Sequence, residues 1–294
     1  MRIGSEEHKQ LFCQWFMESH RLYEAEQLPW PQLDSTTLER LQGIPFWDEA
    51  LQTEKKAGKM LEIYAVTVQD PLIREAIALQ GQEEARHGRV IEYLIDRYNV
   101  NLPQKPERQI PDNLEPAFIK FGYGECFDSF FAFGLFEIAR QAELMPEAFF
   151  TIFDPILDEE ARHMVFFINW IAYKQVQEGR GWLRPFNSLW QYTGALQRRL
   201  DNLSGITQKK KSSNKQKKKS SNKKGFTATG VKAFTLNLTL DQFLEVCLQE
   251  NAKRMSRYDE RLLRPDFLPM LTNVAQRLLK LLPKRRPNPM ANAA

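Results

Sequence analysis

The pentapeptide Glu-Glu-Ala-Arg-His occurs twice in this chain, as residues 83–87 and 159–163, and it takes up two of the four histidines. In each copy the second Glu and the His stand three positions apart: Glu84 with His87, Glu160 with His163. On an α-helix, positions i and i+3 share a face. A carboxylate oxygen and an imidazole nitrogen can therefore be aimed at one point. One Glu-x-x-His arises readily by chance. Two copies in equivalent settings confine the chain to folds that bring two helices face to face around a shared centre.

The settings are equivalent. Residues 47–98 read as two helical runs that break at Asp70-Pro71, and residues 114–176 read as two more that break at Met145-Pro146. Proline just inside a helix start is a good boundary signal. "LEIYAVTVQDP" (61–71) aligns with "FEIARQAELMP" (136–146), with Glu and Pro at matching offsets. This is an internal duplication of a helical hairpin, a pattern that decides a fold before local detail does. A helix of about 25 residues is about 37 Å long. The 15-residue connector 99–113, which holds Pro103, Pro106 and Pro111, can reach about 50 Å when extended. It can span the length of a bundle. The expected fold is all-α, with two hairpins packed as a four-helix bundle with one long crossover. The second helix of each hairpin brings its Glu-x-x-His inward, and such bundles add one Glu from each first helix to make a dinuclear metal site.

The remainder divides around this core. Residues 1–46 read as an N-terminal helical extension, 177–207 as a further helical piece, and 231–294 as C-terminal helices that cover the bundle. Residues 208–230 hold the tract "KKKSSNKQKKKSSNKK", which has no means to build a core and is expected to be disordered. Its nine lysines account for the formal charge of +4; without them the chain sums to −5. The basic balance is thus local, and no specific nucleic-acid partner is expected. Three widely spaced cysteines, Cys13, Cys126 and Cys247, offer no disulfide framework and suit a reducing, cytoplasmic setting. No signal-peptide core or apolar span of about 18 residues is present, so no transmembrane segment is expected.

The two "EEARH" words and the hairpin spacing make residues 47–176 resemble the ferritin-like di-iron carboxylate proteins, the group of ferritin, rubrerythrin, methane monooxygenase and the ribonucleotide reductase small subunit. The segment "FGYGECFDSFFAFGLF" (121–136) also resembles one found in a bacterial subgroup of ferritin-like domain proteins. The resemblance implies a ligand set whose first-helix members follow from register. Glu84 lies 14 residues beyond Asp70 and Glu54 lies 16 before it, whereas Glu62 is 8 and Glu49 is 21 before it. Glu54 is the match. In the second half, symmetry with Glu54 points to Ser129, and Glu125 and Asp128 flank that level. Glu125 is preferred, with Asp128 as the alternative. The expected metal ligands are Glu54, Glu84, His87, Glu125, Glu160 and His163. Four carboxylates and two histidines suit two iron ions, or manganese with iron. Their four negative charges balance two divalent cations.

His8 and His20 lie outside the bundle and read as ordinary histidines. Arg86 and Arg162 are expected to point away from the metals, toward Glu83 or Glu159 or toward solvent. Cys126 reads as a small buried thiol. The phenylalanines at 127, 130, 131, 133 and 136 fit either bundle core or an apolar pocket beside the metals, and Trp170 and Tyr173 fit packing better than electron relay. The basic amphipathic "NVAQRLLKLLPKRR" (273–286) reads as a docked terminal helix.

By resemblance, the function is an O2-dependent oxidoreductase that oxidises or oxygenates a small apolar substrate, with an electron donor as partner and a homodimer as a possible state. Iron handling or peroxide removal is a second reading. The chain length and the lack of Cys-x-x-Cys pairs weigh against it. A non-enzymatic metal-binding or scaffold protein is a third, since fold does not fix function.

Overall fold

The structure, a computed structural model, describes residues 1–103, 106–183, 189, 191–194, 197 and 239–281. Among the described residues all regular structure is helical. The helices are α1 (Glu6–Glu18), α2 (Ser35–Gln42), α3 (Trp47–Thr67), α4 (Pro71–Arg97), α5 (Leu114–Gln141), α6 (Glu147–Gln177), α7 (Leu240–Met255) and α8 (Phe267–Leu281). Residues 208–230 and 282–294 lie outside the description, as does most of 184–207.

Local chemistry sets the helix ends. Asp70 caps α4 by accepting from the amides of Leu72 and Ile73, and Pro71 supplies the first helical position. Ser5 caps α1 in the same way through the amide of His8. Thr239 and Gln242 form a reciprocal capping box on α7. After α4 and α5 the chain turns off through Asn99 and Glu143, both at φ 50°. There the amides of Val100 and Leu144 reach back to the carbonyls of Ile95 and Ala139, the left-handed stop that satisfies a helix's last acceptors.

α3 packs on α4, α5 on α6, α3 on α5 and α4 on α6. These pairings close a ring of four helices. The connector fixes their directions. Arg108 pairs with Glu49 of α3 at 2.5 Å, while Glu115, in the first turn of α5, meets Tyr64 at 3.4 Å. The chain has therefore travelled back along about 22 Å of α3 before α5 begins. α5 starts at the end where α4 started, and the two run parallel. α6 returns, with Phe153 against Trp47 at one end (6.3 Å between centroids) and Lys174 against Glu115 at the other (2.9 Å). The order is up-down-down-up.

Small residues set how closely α3 and α4 approach. A Cβ built on Gly58 would stand 2.9 Å from the backbone nitrogen of Ala85, and one on Gly81 would stand 3.1 Å from the Cβ of Leu61. Nothing larger fits, and the pair is drawn together at the level of Glu54 and Glu84. α1 packs on α4 and α6. Lys9 pairs with Asp70 at 2.5 Å, and His8, wholly buried, meets the Asn169 side chain at 2.9 Å. α7 covers α5, and α8 packs on α7. Gly134 allows α7 to sit directly on α5, because a Cβ there would run into Cys247. The phenylalanine run divides between layers: Phe131 stacks on Phe243 and Phe133 lies against the Arg254 guanidinium of α7, while Phe136 packs on Phe153 of α6. Cys126 is buried, and Trp170 is buried between Phe118 and Phe167. No helix among the described residues is long and apolar enough to cross a membrane.

Candidate metal centre

On α4 and α6 the buried charged residues are those of the two repeated words, which face each other. His87 and His163 stand 5.8 Å apart between ring centroids and are wholly buried. Two groups of acidic and histidine side chains with donor atoms within 4.8 Å of one another meet here: Glu54, Glu84, His87 and Glu160, and Glu84, Glu125 and His163. All six residues expected from the sequence are therefore brought together, and Asp128 joins neither group. Metal–ligand bonds of about 2.1 Å place donors on opposite sides of an ion about 4.2 Å apart, close to that span.

The pattern is pseudo-twofold. His87 Nδ1 lies 3.3 Å from Glu160 Oε1 and 3.7 Å from Glu54 Oε2. His163 Nδ1 lies 3.1 Å from Glu84 Oε1 and 3.0 Å from Glu125 Oε1. At Ser129, where symmetry with Glu54 pointed, the hydroxyl donates to Glu160 Oε2 at 3.0 Å. The Gln80 amide donates to Glu125 Oε2 at 3.3 Å. The two halves differ in access: the Glu54 and Glu160 side chains are 19% and 15% exposed, those of Glu84 and Glu125 2% and 4%. The Glu54–Glu160 side is the less buried of the two.

The first Glu of each word holds the histidine of the other. His87 Nε2 lies 2.8 Å from Glu159 Oε2, and His163 Nε2 lies 2.8 Å from Glu83 Oε2. An ionised carboxylate only accepts, so Nε2 carries the hydrogen and Nδ1 is turned to the cluster, the arrangement that fixes a ligand imidazole. The arginines complete the exchange. Arg86 donates to Glu159 Oε1 at 2.6 Å and Arg162 to Glu83 Oε1 at 3.0 Å. Of the two expectations for these arginines, pairing with Glu83 or Glu159 holds and exposure to solvent does not: both are buried, 4% and 6% exposed. A guanidinium in a protein interior requires a charged partner; each arginine takes the first Glu of the opposite word, and Arg86 also lies 3.8 Å from Glu83 of its own.

The N-terminal extension seals this outer layer. His20 Nδ1 lies 2.5 Å from Glu83 Oε1, and the Tyr23 hydroxyl donates to Glu159 Oε2 at 2.8 Å. Arg86 lies over the Tyr23 ring and Arg162 over the Phe16 ring. Arg162 also donates to the Ser19 hydroxyl and the Phe16 carbonyl. His20 is thus a member of the network and no mere bystander, although neither it nor His8 joins a metal-type group among the described residues. Nothing local in the sequence marks His20 or Tyr23, because each acts through a partner more than 60 residues away.

Electrostatics show a cluster that lacks positive charge. Burial pushes the Glu84 carboxyl well above its usual range; His163 opposes the shift, while Glu125 and Glu54 reinforce it. Burial likewise raises Glu125 to about 7, against the pull of His163. Burial also disfavours charge on Glu160, but His87, His163 and Ser129 outweigh it and hold that carboxyl low. Burial opposes a charged imidazole as well, yet the surrounding carboxylates raise both His87 and His163 well above the ordinary value. Protons gather where a cation is wanted. Glu54 Oε2, Glu125 Oε1, His87 Nδ1 and His163 Nδ1 are buried and have no hydrogen-bond partner. Such atoms are rare in native proteins and call for an occupant. Hard carboxylate oxygens with two imidazoles suit iron or manganese, so the donor set fits the expected pair of ions.

Fold and site together define an all-α protein with a buried acid–histidine cluster able to hold metal. Comparison of the chain with protein-family models, curated proteins and solved structures finds no match.

Proposed function

We propose that this chain is a ferritin-like di-metal carboxylate oxidoreductase that uses O2 to oxidise or oxygenate a small apolar molecule. The observation that carries the reading is the pair of facing Glu-x-x-His words with Glu54 and Glu125 beside them: His87 Nδ1, His163 Nδ1, Glu54 Oε2 and Glu125 Oε1 are buried at one cluster with no hydrogen bond satisfying them. Glu54, Glu84, Glu125, Glu160, His87 and His163 would hold two iron ions, or one manganese and one iron. The bound ions supply the capacity to bind and reduce O2; the protein supplies ligation, exclusion of water and access. Glu83 and Glu159 keep Nδ1 of each histidine directed inward. Burial works against charge on those glutamates, but His163 with Arg162 holds Glu83 ionised and His87 with Arg86 holds Glu159 ionised, and α1 with residues 19–23 packs over the outer layer. O2 and substrate would approach from the less buried Glu54–Glu160 side.

The test is the metal content of protein produced with iron and manganese available, beside His87→Ala and His163→Ala. The expected result is about two equivalents per chain in the parent and loss in both variants. Oxygen uptake after anaerobic reduction then separates an oxidoreductase from a storage protein, because catalytic turnover consumes O2 continuously when reductant and substrate are resupplied. A folded parent that takes up no transition metal after reconstitution refutes the proposal.

A further inference from the structure

α8 is attached to the molecule by its less apolar side. Leu268, Thr272 and Gln276 are its buried residues among those described. They follow one another at intervals of four, so they form one line along the helix, and two of the three are polar. Gln276 donates to the Asp241 carbonyl at 3.2 Å and to Glu245 Oε2 at 3.3 Å, both on α7. Phe267 stacks on Tyr192 where the helix begins, with 4.6 Å between centroids. The opposite side carries Met270, Leu271 and Val274, which are 59%, 42% and 47% exposed. A helix on the surface of a globular protein turns its apolar stripe to the core. α8 turns this one outward, at the outermost layer of the fold.

The charge beside the stripe selects what can cover it. Residues 267–294 hold Arg277, Lys280, Lys284, Arg285 and Arg286 and no aspartate or glutamate. Arg277, three positions beyond Val274 and so on the same side, is exposed and has no ion-pair partner among the described residues. We propose that the outer side of α8 seats the protein on an anionic lipid bilayer, with Met270, Leu271 and Val274 at the edge of the acyl region and the basic residues among the lipid phosphates. Aliphatic side chains flanked by cations are the make-up of a helix that lies in a membrane interface. At 15 residues the helix is about 22 Å long, too short to span a hydrocarbon core of about 30 Å, so it lies along the surface. A second copy of the chain fits less well, because it sets like charges against each other. A partner protein fits less well too, because the stripe offers none of the Trp or Tyr anchors on which protein interfaces depend. The proposal is independent of the metal centre, and its failure leaves the proposed function untouched.

The experiment uses the full chain without metal. Co-sedimentation is measured with vesicles of phosphatidylcholine containing about one-third phosphatidylglycerol, and with vesicles of phosphatidylcholine alone. The expected result is binding to the anionic vesicles that is about tenfold or more weaker on the neutral ones and weakens as salt is raised. Leu271→Ser/Val274→Ser alters exposed positions without changing charge, and far-UV circular dichroism confirms its fold. It should lower binding about tenfold, and Arg277→Gln about fivefold. Replacing the nine lysines of residues 209–224 by glutamine should leave binding that still responds to the serine pair. Absence of binding to anionic vesicles, equal binding by the serine variant, or binding that disappears wholly with the 209–224 lysines each overturns the proposal. So does sedimentation in lipid-free buffer that shows a dimer in the parent and a monomer in the serine variant, which would assign the stripe to a second copy.

Discussion

Glu83 offers the sharpest test of the crossed network. It is wholly buried, and it faces Arg162, His163 and His20 at 3.0, 2.8 and 2.5 Å. Glu83→Gln keeps the shape and one acceptor oxygen, but it puts an NH2 donor in place of the other oxygen and removes the charge. The Arg162 guanidinium, 6% exposed, then lacks its counter-ion, although Ser19 and Phe16 still accept from it. Breaking a buried ion pair from one side costs about 3–5 kcal/mol, and the retained hydrogen bonds place this case near about 3 kcal/mol. With a urea dependence of about 3 kcal/mol/M, the midpoint of the metal-free protein should fall by about 1 M. Glu92→Gln is the control. Its pair with Lys55 has side chains 46% and 42% exposed, so about 0.5 kcal/mol is at stake and the shift should be about 0.2 M. Urea unfolding followed by far-UV circular dichroism reads both. If the two substitutions shift the midpoint equally, Glu83 is not the buried counter-ion described here and the crossed network is wrong.

Other perturbations follow from the same geometry. Gly58→Ala places a Cβ 2.9 Å from the Ala85 backbone nitrogen; prying α3 from α4 should cost about 1–3 kcal/mol, read in thermal unfolding, and should lower metal retention because Glu54 moves with α3. Loading the protein with iron to about 100 times its dissociation constant should stabilise it by about 2.7 kcal/mol per site, or about 5–10 °C in melting temperature. That gain should vanish with chelator and in His87→Ala; an unchanged gain in the variant would contradict the ligand assignment. Asp70, although burial works against its charge, is held below its usual carboxylate value by Lys9 and by the amides of Ile73 and Leu72. Its contribution is therefore present above about pH 4 and is lost as the pH falls through the lowered folded value. Asp70→Asn keeps the cap and should flatten the acid limb of a plot of urea midpoint against pH; an unaltered limb would rule the pair out as its source.

The all-α character, the two hairpins and the six residues of the cluster were legible in the sequence because each rests on short-range regularity. The i, i+3 spacing puts Glu84 with His87 and Glu160 with His163 on one helix face whatever else the chain does. Pro71 and Pro146 mark where the second helices open, and simple helix rise then fixes Glu54 as level with Glu84. At Glu125 the same rule weakened: register pointed to Ser129, and both Glu125 and Asp128 were near enough in sequence. Only the packed structure shows Glu125 at His163 and Ser129 supporting Glu160. The outer layer was legible only as an open choice for Arg86 and Arg162 between Glu83 or Glu159 and solvent. Glu83 serves His163 and Glu159 serves His87 across the interface, Arg86 and Arg162 are buried rather than solvated, and His20 and Tyr23 arrive from an extension with no motif. These contacts join residues 63 to 136 positions apart. Helix periodicity decides which side of a helix a residue occupies, but which charge it must answer to is decided by whatever the other helices bring to that side once water has been removed.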